Sequence, residues 1–143
     1  MGRRGGGGHA GRDGVKVLLD THFLLWIVVD HPRLSEFDWL EEYRPWGVSP
    51  ISFLEIEFLS EVGKLKLEAE EFVQSVGKDR RFVVDEVPLL SLVRQAMPLE
   101  WTRDPFDRLL TAHSLARRTP FCTLDRRIRL HHPLVPKELE PTP

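Results

Sequence analysis

Four acidic residues, widely separated along 143 residues, stand where a folded chain can do chemistry with them: Asp20, Glu55, Asp107 and Asp125. Asp20 directly follows the apolar run Val15-Lys16-Val17-Leu18-Leu19, and Asp125 directly follows Phe121-Cys122-Thr123-Leu124. Both runs read as buried strands. Ligands in open parallel sheets bind beyond the carboxyl ends of the strands, so two carboxylates there can meet in one crevice. Glu55 and Asp107 fall in the first turns of helices expected after Ser49-Pro50 and Asp104-Pro105. Each acid alone has a plainer reading. Asp20 and Asp125 suit helix N-caps. Ser52-Phe53-Leu54-Glu55 and Asp104-Pro105-Phe106-Asp107 suit capping boxes. Acids in a first turn also ease the helix dipole. Taken together they imply more. Carboxylates from two strand ends and two helix starts would share one edge of a doubly wound sheet, and they repel one another unless a cation neutralises them. An oxygen-only donor set suits a hard ion, Mg²⁺ or Mn²⁺, and such an ion can supply a water as nucleophile.

The remaining polar chemistry narrows the choice. The six histidines show neither HxH nor HExxH spacing, which argues against a zinc hydrolase. His22 and His113 read as packed or surface helix residues. Cys122 is the single cysteine, so it forms no intramolecular disulfide and no zinc cluster, and it reads as a small core residue in a reducing, cytoplasmic setting. A phosphoryl-transfer site with Asp20 as nucleophile would want a second Asp two residues on, and that position is His22.

The elements that must position the acids alternate between strands and helices. After the first strand, Thr21 to Val29 reads as a helix that His31-Pro32 stops. A short helix is expected from Ser35 to Tyr43, a strand over Trp46 to Val48, and a helix from Pro50 to Glu61 that ends at Gly63. An acidic amphipathic helix follows over Glu68 to Val76, then a strand at Phe82-Val83-Val84 and a helix from Pro88 to Met97. Pro105 to Arg117 is helical, Phe121 to Leu124 a strand, Arg126 to Leu130 a short helix, and His132 to Val135 a final edge strand. This alternation predicts a parallel α/β sheet.

The chain suits one domain with an ordinary hydrophobic fraction of 41%. Residues 1–14 are rich in glycine and read as a disordered tail, residues 15–139 as the folded domain, and residues 140–143 as a disordered end. No secretory signal is visible, and the apolar run Val15 to Val29 is too short and too charged to span a bilayer. Net charge is −2, which argues against a strongly basic nucleic-acid binder, but its distribution is uneven. Val15 to Glu100 carries nine basic and sixteen acidic residues, whereas Trp101 to Pro143 carries eight basic and five acidic ones. The basic part is mostly arginine, whose fork suits phosphate, although a solvated helical face is the simpler account of it. Trp26, Trp39, Trp46 and Trp101 read as core or subunit-contact residues.

At the acids the chain resembles the PIN-domain family, in its VapC-type toxin branch. Leu18-Leu19-Asp20-Thr21-His22-Phe23-Leu24-Leu25-Trp26 is similar to the family's opening strand and helix, and Ser49-Pro50-Ile51-Ser52-Phe53-Leu54-Glu55-Ile56 to the segment bearing its glutamate. Gly63-Lys64-Leu65-Lys66-Leu67 is also common in one bacterial branch. Arg103-Asp104-Pro105-Phe106-Asp107-Arg108-Leu109-Leu110 is similar to the third motif and Thr123-Leu124-Asp125 to the fourth. The resemblance implies a three-layer α/β/α sandwich around a central, mainly parallel sheet, and Mg²⁺- or Mn²⁺-dependent hydrolysis of RNA. It gives Asp20, Glu55, Asp107 and Asp125 the metal-binding and catalytic roles. Thr21, Ser52 and Thr123 would orient ligands or water, Asp104 would cap a helix or support the site, and Arg103, Arg108, Arg126 and Arg127 would hold the RNA backbone. A small antitoxin protein and a second copy of the chain are the protein partners it implies. A non-catalytic RNA- or protein-binding module on the same fold is the alternative.

Overall fold

The computed structural model describes residues 14–140. The expectations for a disordered start and end bear on residues 1–13 and 141–143, which lie outside the described residues. Four short strands, β1 (Leu18–Leu19), β2 (Trp46–Val48), β3 (Phe82–Val84) and β4 (Phe121–Cys122), form one sheet in the order β3-β2-β1-β4. Every neighbouring pair is parallel. The helices are α1 (Thr21–Val29), α2 (Pro50–Glu61), α3 (Ala69–Lys78), α4 (Leu89–Ala96), α5 (Pro105–Arg117) and α6 (Arg126–His131). Among the described residues no helix is long and apolar enough to cross a membrane.

Strand alternation divides the core between the two faces of the sheet. Leu18 and its cross-strand partner Phe121 pack with Leu110 of α5 and Ile128 of α6. Val17, Leu19, Trp46, Val48 and Cys122 point the other way, onto Phe23, Leu24 and Ile27 of α1, Ile56 of α2, and Phe72 and Val76 of α3. The architecture is therefore the expected α/β/α sandwich. Each fully buried Leu or Phe contributes about 1.5–3 kcal/mol, so these two layers carry most of the apolar stabilisation. Cys122 is one of them, and burial pushes its thiol well above the ordinary range.

The β-ladder runs up to the candidate site. Gly47 N donates to Val17 O at 2.8 Å, Leu18 N to Pro120 O at 2.8 Å, and Asp20 N to Cys122 O at 2.9 Å. Gly47 is needed for that approach: a Cβ there would meet Val15 Cγ1 at 2.7 Å and Val17 O at 3.0 Å. From β1 the chain steps outward through β2 to β3, then returns by way of α4 and α5 to lay β4 on the other side of β1. The order thus reverses between β1 and β4, where a crevice opens in a doubly wound sheet.

Two expected elements differ. The helix anticipated over Ser35 to Tyr43 is a 3₁₀ segment, Pro32–Tyr43, interrupted at Phe37 (φ −128°, ψ 49°). The Phe37 ring packs against Phe23, Trp26 and Trp39, and these aromatic contacts override helical continuity. The anticipated last strand at His132 to Val135 does not form. Leu134 O accepts one bond from Phe121 N at 2.9 Å, but Pro133 has no N–H to give a ladder. His132 turns inward, with Nε2 2.9 Å from Ser114 Oγ. Ser114 spends its proton on Thr119 O at 2.6 Å, so the imidazole is the donor in that contact.

Candidate active site

A cavity of about 290 Å³ lies beyond the carboxyl ends of β1 and β4. Asp20, Glu55, Asp107 and Asp125 all line it, together with His22, Trp26, Arg33 and Leu124. The four stretches of sequence that carry the acids therefore reach one place.

For two of these acids, capping a helix and lining the cavity go together. Asp20 caps α1, with Oδ1 accepting from Thr21 N at 2.7 Å, while Oδ2 accepts from Thr123 Oγ1 at 2.6 Å. Asp125 caps α6, with Oδ1 accepting from Ile128 N at 2.9 Å. Thr123 Oγ1 also accepts from Asp125 N at 3.0 Å, so one hydroxyl ties the exit of β4 to the exit of β1. The two proposed capping boxes do not form. Ser49, not Ser52, caps α2, and this moves Glu55 a turn inward, where Oε1 accepts from Thr21 Oγ1 at 2.6 Å. Thr21 Oγ1 lies 2.9 Å from Ser52 Oγ; its single proton is committed to Glu55, which leaves Ser52 as the donor. Asp104 caps α5, its Oδ1 accepting from Phe106 N at 2.9 Å and Asp107 N at 3.1 Å, and Asp107 points free into the cavity.

Crowding changes the protonation of these groups. Burial raises the Asp20 carboxyl, and the neighbouring Asp125 charge adds to the effect. Burial likewise raises Glu55, assisted by Asp20 and Asp104. Asp107 is pushed up to about 7, first by burial and then by the charges of Asp104, Asp20, Asp125 and Glu55. Three carboxylates held up by lost solvation and mutual repulsion form an environment that a divalent cation would relieve. Among the described residues no group of three His, Cys, Asp or Glu is placed to hold a metal ion directly. The four acids offer oxygen donors, which suit Mg²⁺ or Mn²⁺ better than zinc, and Mg²⁺ keeps several waters and takes only one or two direct carboxylates. The donor set fits a hydrated hard ion.

The arginines separate by place. Arg103, Arg126 and Arg127 are exposed beside the acids in sequence. Arg108 is engaged elsewhere: its Nε donates to Ala96 O at 2.9 Å and its Nη2 to Met97 O at 2.8 Å, closing the end of α4. Arg33 and Trp26, which the sequence reading did not assign to the site, line the cavity. A second buried polar group was also missed. Asp85 follows β3 just as Asp20 follows β1, but its Oδ2 meets His113 Nε2 and Arg117 Nε, each at 2.8 Å. These two bonds outweigh burial and hold Asp85 below the usual carboxylate range. The strand-end position was a visible signal; the direction of the side chain was not.

A parallel sheet between helical layers, with acids gathered at its switch point, is the arrangement of a PIN domain. The PIN domain family matches residues 17–131, and the chain belongs to that family. It is similar to Ribonuclease VapC22 of Mycobacterium tuberculosis, with 30% identity over 122 residues that cover 82% of this chain and 93% of the relative. That likeness places it with the VapC-type members. No solved structure matches.

Proposed function

We propose that this protein is a Mg²⁺- or Mn²⁺-dependent endoribonuclease that hydrolyses RNA phosphodiester bonds, and that it is the toxin of a type II toxin–antitoxin pair. The observation that carries this reading is the meeting of Asp20, Glu55, Asp107 and Asp125 in one cavity, with three of them held above their ordinary protonation range. The similar protein named a ribonuclease supports the substrate class. A divalent ion among these carboxylates supplies positive charge at the phosphate and a more acidic water. The chain's own residues hold the geometry. Thr21 and Thr123 clamp Asp20 from two sides, the Ser52–Thr21 pair orients Glu55, and the Asp104 cap aims the first turn of α5 so that Asp107 enters the cavity. Leu124 and Trp26 give the cavity an apolar wall that limits bulk water. Arg103, Arg126 and Arg127 suit contacts to more distant RNA phosphates.

The protein partners this role implies are an antitoxin segment and a second copy of the chain, in the cytoplasm. Two apolar stripes support such contacts. Leu54, Phe58 and Val62 stand four residues apart on or just beyond α2, and Leu89, Leu90, Val93 and Met97 lie along α4; all are exposed. The experiment is direct: purified protein is incubated with RNA in EDTA, Mg²⁺ or Mn²⁺, alongside Asp20→Asn. Cleavage should require the metal and be lost in the variant. Absent cleavage with metal present, together with retained RNA or protein binding, would favour a non-catalytic module instead.

A further inference from the structure

We infer that Arg33 holds a backbone phosphate of the bound RNA in the cavity that the four carboxylates line, and that Trp26 positions the guanidinium for this task. The inference rests on the nuclease reading for the identity of the ligand. Among the described residues, Arg33 is the one arginine or lysine that lines the cavity. The same lining carries four acids, and RNA approaching it brings further negative charge. A cation at the acids can serve the phosphate that sits there, but the next phosphate along the strand meets nothing positive unless the chain supplies it. A guanidinium fork matches phosphate oxygens in shape as well as charge.

Arg33 is ordered at its root and only weakly engaged at its tip. Its backbone N donates to His31 Nδ1 at 3.1 Å, directly after the Pro32 that opens the 3₁₀ segment. Its Cζ lies 4.9 Å from the centroid of the Trp26 ring, within cation–π range. Trp26 is braced in turn by the edge-on Phe23 ring at 5.5 Å and by Phe37 at 6.3 Å. Trp26 also sits on α1, the helix that Asp20 caps, so one rigid element places both residues in the lining. The ion pair Arg33 makes is with Glu36, at 3.4 Å, and both side chains are about half exposed. A charge-assisted bond in good geometry is shorter, and a pair this open is worth little, so the donors remain available to a ligand. Holding a cation ready before RNA arrives lowers the ordering cost of binding. None of Arg103, Arg108, Arg126 and Arg127 lines the cavity.

The test measures binding of a short fluorescent single-stranded RNA to the Asp20→Asn protein at fixed millimolar Mg²⁺, across a series of monovalent salt concentrations. Adding Arg33→Gln should weaken binding by about tenfold. It should also flatten the dependence of log Kd on log salt by up to about 0.7, the share of one phosphate contact on a single strand. Arg33→Lys should restore most of the slope, and Trp26→Phe should give an intermediate loss with the charge kept. In otherwise wild-type protein, Arg33→Gln should raise KM and largely spare kcat. Unchanged Kd and slope in a folded Arg33→Gln protein overturn the inference, as does the lack of any RNA binding by folded Asp20→Asn. The nuclease reading fails separately: if wild type does not cut but the Arg33 variants still differ in RNA binding, the phosphate contact stands without the hydrolysis.

Discussion

Replacing Asp107 by Asn removes a carboxylate crowded by burial and by its acidic neighbours, and the consequence can be worked out. Its folded-state pKa of about 7 lies above the ordinary 3.8. Below pH 3.8 the group is protonated in the folded and unfolded chain alike, and it costs nothing. Between about 3.8 and about 7 the unfolded chain ionises while burial and four other acids keep the folded group protonated, so stability falls over that window and levels off above it. At about 1.36 kcal/mol per pH unit the ceiling is about 4 kcal/mol. Asp107 is only partly buried and solvent screens it, which leaves about 1–2 kcal/mol. In EDTA, Asp107→Asn should therefore melt higher than wild type by roughly 4–8 °C at about pH 8, and match it at about pH 4. Mg²⁺ should reverse the order, since an ion at about 100 times its Kd adds about 2.7 kcal/mol to the protein that binds it. The assay is thermal denaturation over a pH series, with and without Mg²⁺. Equal melting temperatures at high pH in EDTA, or an equal gain from Mg²⁺ in both proteins, would refute both the crowding and the cation site.

Other outcomes follow from single contacts. Thr123→Val removes the hydroxyl that bonds Asp20 and receives the Asp125 amide, and should cut RNA-cleavage kcat by at least tenfold while circular dichroism stays native. His132 is buried and held neutral, its pKa lowered from 6.5 to about 4. The stability it permits above pH 6.5 should be lost as pH falls toward 4, by up to about 3 kcal/mol, and urea titrations of His132→Gln should show a flatter acid limb. Asp85→Ala strands His113 and Arg117 and should cost about 3–5 kcal/mol in denaturant unfolding, with no change in the metal requirement of cleavage. Gly47→Ala forces β1 from β2 and should destabilise by roughly 1–3 kcal/mol in the same measurement.

The acids were legible because each sits beside strong local punctuation. An apolar run ends at Asp20, another ends just before Asp125, and Ser-Pro and Asp-Pro steps open α2 and α5 ahead of Glu55 and Asp107. The caps were less legible, because Ser49 and Ser52 are equally good capping residues and only the packed backbone chooses between them. Arg33 and Trp26 carried no signal at all. Their role depends on the 3₁₀ segment folding back over α1, and that path follows from contacts among Phe23, Trp26 and Phe37 rather than from periodicity. Asp85 shows the limit of positional reasoning. It repeats the strand-end placement of Asp20, yet β3 lies two strands from β1, and α5 offers it His113 and Arg117 instead of the cavity.

Local sequence, acting over a few residues, determined most of the strands and helices, and it placed Asp20 and Asp125 at strand exits and Glu55 and Asp107 in the first two turns of helices. Such preferences depend on side-chain shape and on the needs of nearby backbone N–H groups, so a single chain discloses them. Tertiary structure alone decided that β4 returns to lie against β1, that Thr123 reaches Asp20 across 103 positions of sequence, and that four like charges end in one cavity. Those outcomes come from which apolar faces find one another, and the resulting loss of solvent is what raises the proton affinity of Asp20, Glu55 and Asp107.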